Sequence, residues 1–338
     1  MERQKGRRSM RYTEKAFDRA EFELRQRQDK ANEEHQRRLD EIAQKAPEIY
    51  RMHSEAIRLN YALLGNIGKG KSSADISKKI AEIKEKNISL RHTMHEMLKA
   101  CGYPEDYLQM HYQCEICSDS GYHDGVRCEC MKRLLKKYTT EEINANCSIE
   151  LHDFADFRAE YYSDMPVNGE IPRVKMQTIF ENCKNYATRF EPHTSSLIFF
   201  GKTGLGKTFL SSCIAKELIS QGWNVVYGSM LKLMRQVEDE RFHRAEGDTM
   251  SVMLEADLLI LDDLGSEFQT QFTDSVLYEL INERINERRP TLISTNLTVN
   301  EVGKKYNDRI VSRITGCFRP FFFAGSDVRL VKLRNGII

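Results

Sequence analysis

Residues 195–208 read Ser-Ser-Leu-Ile-Phe-Phe-Gly-Lys-Thr-Gly-Leu-Gly-Lys-Thr, and this stretch decides the fold. The apolar run at 197–200 predicts a short buried strand, and the periodicity of residues 209–222 predicts a helix that ends at a glycine. Between them lies the phosphate-loop pattern, in which two glycines enclose four residues and lysine and threonine follow. Glycine lets backbone N–H groups turn towards a triphosphate, and the helix N-terminus adds a partial positive charge. The sequence therefore predicts a nucleotide-binding strand, loop and helix.

The residues of this loop have different predicted tasks. Lys207 is predicted to reach the β- and γ-phosphates, and the hydroxyl of Thr208 is predicted to bind Mg²⁺. The residues predicted to contact the nucleotide in this stretch are Gly201, Lys202, Thr203, Gly204, Leu205, Gly206, Lys207, Thr208 and Phe209.

Acidic and amide side chains follow two further predicted strands. The continuous apolar run at 258–261 is typical of a buried parallel strand, and it ends in Asp262 and Asp263. Ligands of open α/β sheets bind at the carboxyl ends of the strands. Asp262 is therefore predicted to hold Mg²⁺, directly or through water, and Asp263 to polarise the attacking water. The strand at 291–295 ends in Asn296, which is predicted to contact the γ-phosphate or that water.

Composition bounds the class of protein. The chain has 338 residues and 40% hydrophobic residues, enough for more than one domain with a sizeable core. The net charge is +1, so any DNA site must be a local patch. Neither a signal peptide nor a long apolar span is evident, so we expect a soluble, cytoplasmic protein.

Four of the nine cysteines lie close together in the sequence. Two close pairs, separated by a loop that contains glycine, suit a tetrahedral thiolate site, and zinc favours such a closed structural site. His111 and His123 are alternative ligands, and reduced thiols or a redox pair are alternative interpretations. The predicted zinc ligands are Cys114, Cys117, Cys128 and Cys130.

The segment before the cysteines is charged and helical in pattern. Residues 1–60 interleave both signs of charge, which predicts long helices or a coiled coil that serve either as a solvated arm or as a partner-binding arm. Residues 65–72 also fit the phosphate-loop pattern, but no buried strand precedes them, so we interpret them as a turn between helices. We predict three parts: a helical region at 1–110, a zinc module with a basic linker helix at 111–150, and a nucleotide-binding domain at 151–338.

Two stretches are candidates for other contacts. The helix at 230–242 and the residues after it carry Lys232, Arg235, Arg241 and Arg244, which are candidate phosphate partners for single-stranded DNA, and Phe242 is a candidate stacking residue. Acidic residues interrupt this charge, so an ordinary solvated helix is the alternative. The basic stretch at 132–137 is a second DNA candidate. The aromatic cluster before Pro172 is predicted to pack either on the adenine or in the core.

Several motifs in this order resemble AAA+ ATPases of the bacterial DnaC/DnaI helicase-loader group, whose ATPase core the IstB transposition ATPases share. The motifs are the loop at 201–208, Asp262-Asp263, Ser294-Thr295-Asn296, the helix at 308–313 and Asp327-Val328-Arg329. The resemblance covers residues 150–335. The cysteine segment is also similar to a zinc-binding segment found in front of the ATPase in DnaC-like proteins. The implied fold class is α/β, with a parallel sheet flanked by helices.

The resemblance implies roles for further residues. Asn296 matches the sensor-1 position, and Arg329 matches the sensor-2 arginine. Arg313 matches the arginine finger supplied to a neighbouring subunit's ATP, with Arg309 as a second candidate. Asp263 replaces the usual catalytic glutamate of the family, which implies slow hydrolysis, and Glu267 is a candidate substitute.

The function implied by the resemblance is an ATP-dependent loader of a hexameric replicative DNA helicase. The implied cofactors are ATP, Mg²⁺ and Zn²⁺, and the implied partners are the helicase, single-stranded DNA and further copies of the chain. An IstB-like transposition ATPase and an adaptor that binds ATP without hydrolysing it are the alternatives. A GTPase is disfavoured because the guanine-reading motif Asn-Lys-x-Asp is absent from the sequence.

Overall fold

The computed structural model describes residues 12–66, 73–147, 150–167 and 169–334. Residues 67–72 of the second phosphate-loop-like stretch lie outside these ranges. The chain divides into two compact units: Arg19–Lys132, and Arg133–Ile338 together with Met1–Asp18. The predicted division into three parts remains a prediction.

The unit Arg19–Lys132 contains three long helices, a two-residue β-hairpin and the clustered cysteines. The elements are α1 (Glu14–Lys45), α2 (Pro47–Asn66), α3 (Ser73–Ala100), β1 (Tyr122–His123) and β2 (Val126–Arg127). Ion pairs one helical turn apart, such as Arg25 with Glu21 and Arg27 with Glu23, stabilise the highly charged α1. A small apolar core forms between these helices from Ile42, Ile49, Met94, Leu98 and Leu108.

The other unit is a five-stranded parallel sheet flanked by helices. Its strands are β3 (Ser196–Phe200), β4 (Val225–Ser229), β5 (Leu258–Leu264), β6 (Thr291–Thr295) and β7 (Phe318–Phe322). Its helices are α4 (Glu129–Cys147), α5 (Pro172–Thr188), α6 (Lys207–Ser220), α7 (Met230–Arg241), α8 (Thr249–Glu255), α9 (Gln271–Asn286), α10 (Val299–Lys305), α11 (Asp308–Cys317) and α12 (Val328–Arg334).

The strand order is β4-β5-β6-β3-β7, with all neighbours parallel. The central strands are apolar almost throughout because helices cover both faces, as parallel sheets require. Strand β6 lies between β5 and β3, so the acidic residues of β5, the residue after β6 and the loop after β3 meet at one edge of the sheet. The predicted fold class is confirmed.

Helix α4 packs on this sheet over its C-terminal half. Ile143 and Cys147 are buried in the core beside β4. The Asn144 amide donates to the carbonyl of Val225 at 2.8 Å, and its oxygen accepts from the N–H of Tyr227 at 2.9 Å. The basic linker helix predicted from the sequence is therefore, in its second half, part of the sheet-containing unit.

Two helices late in the chain are separated by a cap. Helices α10 and α11 are distinct because the Asn307 side chain accepts from the N–H of Ile310 at 3.0 Å and begins a new helix. The last strand, β7, begins at Phe318, directly after α11. Within the described ranges, no helix is long and apolar enough to cross a membrane.

Candidate nucleotide-binding site

The phosphate loop lies between β3 and α6 in a conformation that needs glycine. Gly204 and Gly206 have φ values of +83° and +95°, where a Cβ atom would be strained. Space also excludes a side chain, because a Cβ at Gly204 would lie 2.1 Å from the carboxylate of Asp327. Gly206 immediately precedes the first residue of α6, so the loop opens onto a helix N-terminus.

Lys207 is buried and directed back across the loop. Its ammonium donates to the carbonyls of Gly201 at 2.6 Å and Lys202 at 2.9 Å, and to Asn296 Oδ1 at 2.8 Å. Burial lowers the pKa of Lys207, and the carboxylates of Asp262 and Asp263 oppose that shift. The positive charge of Lys207 therefore already lies at the loop. A bound phosphate group would replace the carbonyl oxygens as its hydrogen-bond acceptor.

Thr208 and Asp262 form a pair suited to Mg²⁺. The Thr208 hydroxyl donates to Asp262 Oδ2 at 2.9 Å, and Ser294 Oγ donates to Asp262 Oδ1 at 2.5 Å. Two oxygens on adjacent corners of an octahedron with Mg²⁺–oxygen distances of about 2.0–2.1 Å lie about 2.9 Å apart. The observed separation of the two side-chain oxygens therefore fits this ion.

Asp263 and Asn296 stand beside the magnesium pair. Asp263 has φ +59° and lies where the pairing of β5 with β6 shifts register, so a bulge turns its side chain out of the regular alternation. Asn296 Nδ2 donates to Asp263 Oδ1 at 2.5 Å while its oxygen accepts from Lys207. Burial raises the pKa of Asp263, and the negative charge of Asp262 adds to that effect.

Glu267, the candidate substitute for the catalytic glutamate, has other partners. Its carboxylate accepts from the N–H of Gly265 at 2.9 Å and from the Tyr306 hydroxyl, and it pairs with Lys305 at 3.8 Å. It is buried, with 5% of its surface exposed. These contacts bind Glu267 to α10 and the residue after it, so the geometry favours a structural role.

The three candidate arginines lie on helices late in the chain. Arg309 is exposed and Arg313 is half-buried, both on α11. Neither side chain forms a hydrogen bond or an ion pair with the part of the chain that the structure describes. Arg329 is exposed on α12, whose first residue donates its N–H to the carbonyl of Gly204 at 2.9 Å. Its charge lies near enough to contribute, as the smallest of the causes, to the lowered pKa of Lys207.

The aromatic residues that precede α5 pack in the core. Phe157 stacks on Phe180 with ring centroids 4.3 Å apart, and Phe154 meets the same ring at 5.8 Å. Tyr162 is buried and donates its hydroxyl to the carbonyl of Leu205 at 3.1 Å. Of the two roles predicted for this cluster, core packing is the one that these contacts support.

The four clustered cysteines converge in the unit Arg19–Lys132. Their sulfur atoms all lie within 4.8 Å of one another, with Cys117 and Cys130 at 3.3 Å and Cys114 and Cys128 at 3.7 Å. Both pair distances exceed the S–S length of a disulfide bond, and the 3.7 Å between Cys114 and Cys128 is close to the separation of about 3.8 Å for thiolates about 2.3 Å from a tetrahedral zinc. The donor set therefore fits zinc.

The loop between the first two cysteines is held by a buried carboxylate. Asp119 accepts from the N–H groups of Gln113 at 2.8 Å and Cys114 at 3.0 Å. A hydrogen bond from the Cys117 backbone lowers the pKa of Cys114 to about 7, whereas burial raises that of Cys117. A bound cation would favour the thiolate form of all four ligands.

Helix α7 offers only part of the predicted DNA contact. Lys232 donates to the carbonyl of Cys147 at 3.0 Å, and Arg244 pairs with Asp239 at 2.8 Å. Arg235 and Arg241 are exposed and have no ion pair within the described ranges. Phe242, beside them, has 58% of its surface exposed.

Sequence reasoning missed two polar residues of the nucleotide site. Ser294 donates to Asp262 and accepts from the N–H of Asp263 at 3.0 Å, so it links both acidic residues to β6. Tyr162 contacts the outer side of the phosphate loop. Ser294 belongs to the quoted motif Ser294-Thr295-Asn296, but no role was predicted for it, and Tyr162 lies in the aromatic cluster that was predicted to pack on the adenine or in the core.

This fold and site define the class: an α/β domain with a phosphate loop, in which a lysine, a hydroxyl, two aspartates and an asparagine meet at the carboxyl edge of a parallel sheet. Residues 184–314 match the family described as IstB-like ATP binding protein. The replicative helicase loader DnaC of Escherichia coli K12 is 23% identical over 186 residues, which are 54% of this chain and 69% of DnaC.

Two further proteins match a shorter part of the chain or have a lower sequence identity. A putative insertion sequence ATP-binding protein of Sinorhizobium fredii is 32% identical over 114 residues, 34% of this chain and 38% of that protein. A crystal structure of the DnaC helicase loader superposes with a TM-score of 0.43 and 20% identity, covering 51% of this chain and 98% of the other. Residues 184–314 are thus similar to IstB-like ATP-binding proteins, and 54% of the chain is similar in sequence to the DnaC helicase loader, which confirms the resemblance inferred from the motifs.

Proposed function

We propose that this protein is an ATP-dependent loader of a hexameric replicative DNA helicase. The observation that carries the proposal is the extent of the sequence match, which spans 69% of the helicase loader DnaC but only 38% of the insertion sequence protein. The four cysteines support it further, since the resemblance associates such a segment with DnaC-like proteins. In this proposal the helical region and the cysteine module engage the helicase.

ATP binding rests on the loop and its lysine. The triphosphate accepts from the N–H groups of the loop, and the Lys207 ammonium moves from the carbonyls of Gly201 and Lys202 to the β- and γ-phosphates. Thr208 and Asp262 hold Mg²⁺, which when bound neutralises charge on the phosphate oxygens. Ser294 keeps Asp262 in place through its hydrogen bond.

Hydrolysis then depends on the residues at the ends of β5 and β6. Asn296 contacts Asp263 and Lys207 at once, so it orients the carboxylate relative to the bound phosphate. Asp263 accepts a hydrogen bond from the attacking water, and its raised pKa makes it a better proton acceptor than an ordinary aspartate. Turnover should fall to background in Lys207→Ala and Asp262→Asn; turnover equal to that of the unchanged protein would refute this assignment.

An arginine from a neighbouring copy completes the site in this proposal. Arg313 lies on α11 with no partner among the described residues, and such an arginine contributes about 10³- to 10⁵-fold to phosphoryl transfer. Arg313→Ala should bind ATP normally and lose most hydrolysis. Mixing it with Lys207→Ala should restore part of the activity, because one interface then combines an intact loop with an intact arginine. Absence of rescue in co-assembled mixtures would contradict action between subunits.

Single-stranded DNA is the second proposed partner of this domain. Arg235 in the middle of α7, Arg241 at its end and Phe242 directly after it present two charges and an aromatic ring to solvent, a combination that suits phosphates and an unpaired base. ATP binding would set the geometry between subunits and the hold on DNA, and hydrolysis would release it.

The decisive experiment measures binding of the full chain to candidate partners and the loading of a helicase onto DNA. The replicative helicase from the same cell or replicon should form a complex with the protein by native mass spectrometry. The helicase should also be loaded onto single-stranded DNA that is coated with a single-strand-binding protein, and only when ATP is present. Lys207→Ala is the control for loading.

A transposition ATPase is the second candidate, favoured by the IstB-like match at 184–314. It predicts binding to duplex DNA and to a transposase, without helicase binding. That result would overturn the loader proposal. Binding of ATP without turnover in any assembly, in the presence of both kinds of DNA, would instead indicate a non-hydrolysing adaptor.

A further inference from the structure

Two hydrogen bonds hold the outer side of the phosphate loop. The Tyr162 hydroxyl donates to the carbonyl of Leu205 at 3.1 Å. The N–H of Val328, the first residue of α12, donates to the carbonyl of Gly204 at 2.9 Å. The two donors come from segments far apart in the chain, one between α4 and α5 and the other at the start of α12.

These bonds determine where the next N–H groups point. In a trans peptide the C=O and N–H bonds point in opposite directions. The carbonyl of Gly204 shares a peptide with the N–H of Leu205, and the carbonyl of Leu205 shares one with the N–H of Gly206. With both carbonyls held on the outer side, both N–H groups face inwards. Among the described residues neither N–H has an acceptor, so both are available to a polyanion.

Tyr162 is itself fixed from several sides. It is buried, and its ring stacks on Phe157 with centroids 5.9 Å apart. Its backbone carbonyl accepts from Arg173 Nε at 3.0 Å. A Cβ at Gly206 would lie 2.8 Å from the hydroxyl, and one at Gly325 would lie 3.2 Å from the ring. The hydroxyl therefore has little freedom to leave the loop.

We propose that Tyr162 and the N–H of Val328 are positioning groups that aim the N–H groups of Leu205 and Gly206 at the phosphates of the nucleotide. This inference rests on the proposed ATP binding. Tyr162 acts through the loop and does not touch the nucleotide itself.

The first test removes one hydroxyl. Tyr162→Phe keeps the ring and its packing, and the matched control is Tyr186→Phe, whose buried hydroxyl has no hydrogen-bond partner within the described part of the chain. Loss of one neutral hydrogen bond corresponds to about a three- to tenfold change in an equilibrium constant. The Kd for ADP and ATP should rise by that factor in Tyr162→Phe, with kcat at saturating ATP within about twofold, since uniform binding is lost.

The second test removes the other donor. Val328→Pro deletes the N–H at the first position of α12, where proline is tolerated, and Val328→Ala keeps it. Only the proline variant should weaken nucleotide binding.

The outcomes separate this inference from the proposed function. An unchanged protein that binds no nucleotide overturns the proposed function. A protein that binds nucleotide, with equal affinities in Tyr162→Phe and Tyr186→Phe, overturns the positioning role. The melting temperature without nucleotide gives a further outcome. If it falls in Tyr162→Phe but not in Tyr186→Phe, by enough to account for the weaker binding, the positioning role is also overturned, because the hydroxyl would then stabilise only the fold.

Discussion

The guanidinium of Arg284 gives the sharpest prediction about stability. Arg284 on α9 has 1% of its surface exposed. It donates to three carbonyls at the end of α8, those of Met253 at 2.7 Å, Leu254 at 3.1 Å and Ala256 at 3.0 Å. It also donates to Pro290 at 2.5 Å and to the Thr291 hydroxyl at 2.9 Å, where β6 begins. Arg284 thus joins the segment before β5 to the start of β6.

The expected loss of stability follows from the hydrogen-bond acceptors that have no donor in Arg284→Met. Methionine replaces the aliphatic stem, so little volume is lost, but the buried carbonyls of Met253, Ala256 and Pro290 lose this donor at about 1–1.5 kcal/mol each. The free energy of unfolding should fall by about 3–5 kcal/mol, and the melting temperature by about 10 °C for a unit of about 200 residues. Burial lowers the pKa of Arg284 to about 9, so the side chain is charged at neutral pH.

The assay uses the only tryptophan of the chain. Trp223 packs against Phe190 with ring centroids 5.2 Å apart inside the sheet-containing unit, so its fluorescence during urea unfolding reports on that unit. The control is Arg289→Met, whose ion pair with Glu287 at 2.8 Å is partly exposed and should contribute at most about 1 kcal/mol. Equal losses in the two variants would refute the reasoning. ATP affinity at low temperature should be unchanged, because Arg284 lies at the end of the strands opposite the nucleotide site.

Three further predictions concern the metal, the acidic pair and DNA. Metal analysis of the purified protein should give about one zinc per chain, lost on serine substitution of any of the four clustered cysteines; a folded, metal-free protein would contradict the site, and chelation should loosen this segment before the sheet-containing unit. Because burial and Asp262 raise the pKa of Asp263 in the folded state, the stability that its protonated form contributes is present at low pH and lost as the pH rises through that pKa. Asp263→Asn should therefore raise the melting temperature of the nucleotide-free protein at pH 8 and lose this advantage towards pH 4, and a difference independent of pH would exclude the cause given. Arg235→Ala with Arg241→Ala should reduce the slope of log affinity for single-stranded DNA against log salt by about one per contact, with Arg244→Ala as the control; an unchanged slope would place the DNA site elsewhere.

The features that the sequence determined by itself are local in the chain. The glycines, lysine and threonine of the phosphate loop are consecutive, and their spacing alone encodes a loop between a strand and a helix. The apolar run that ends in Asp262 and Asp263 identifies a buried strand and places its carboxylates at one edge. The cysteine spacing likewise predicted a cluster, and the four sulfur atoms do converge.

Tertiary structure decided the contacts between residues distant in sequence. Ser294 meets Asp262 because β5 and β6 are neighbours in the sheet, and Tyr162 reaches Leu205 across 43 positions. No feature of the sequence distinguishes Arg284 from the solvated arginines around it. Glu267 is a candidate catalytic residue by sequence, but in the fold its carboxylate accepts a hydrogen bond from the Tyr306 hydroxyl. No spacing rule connects such pairs, because a side chain's partner depends on which elements pack together, and only the folded backbone brings them within hydrogen-bonding distance.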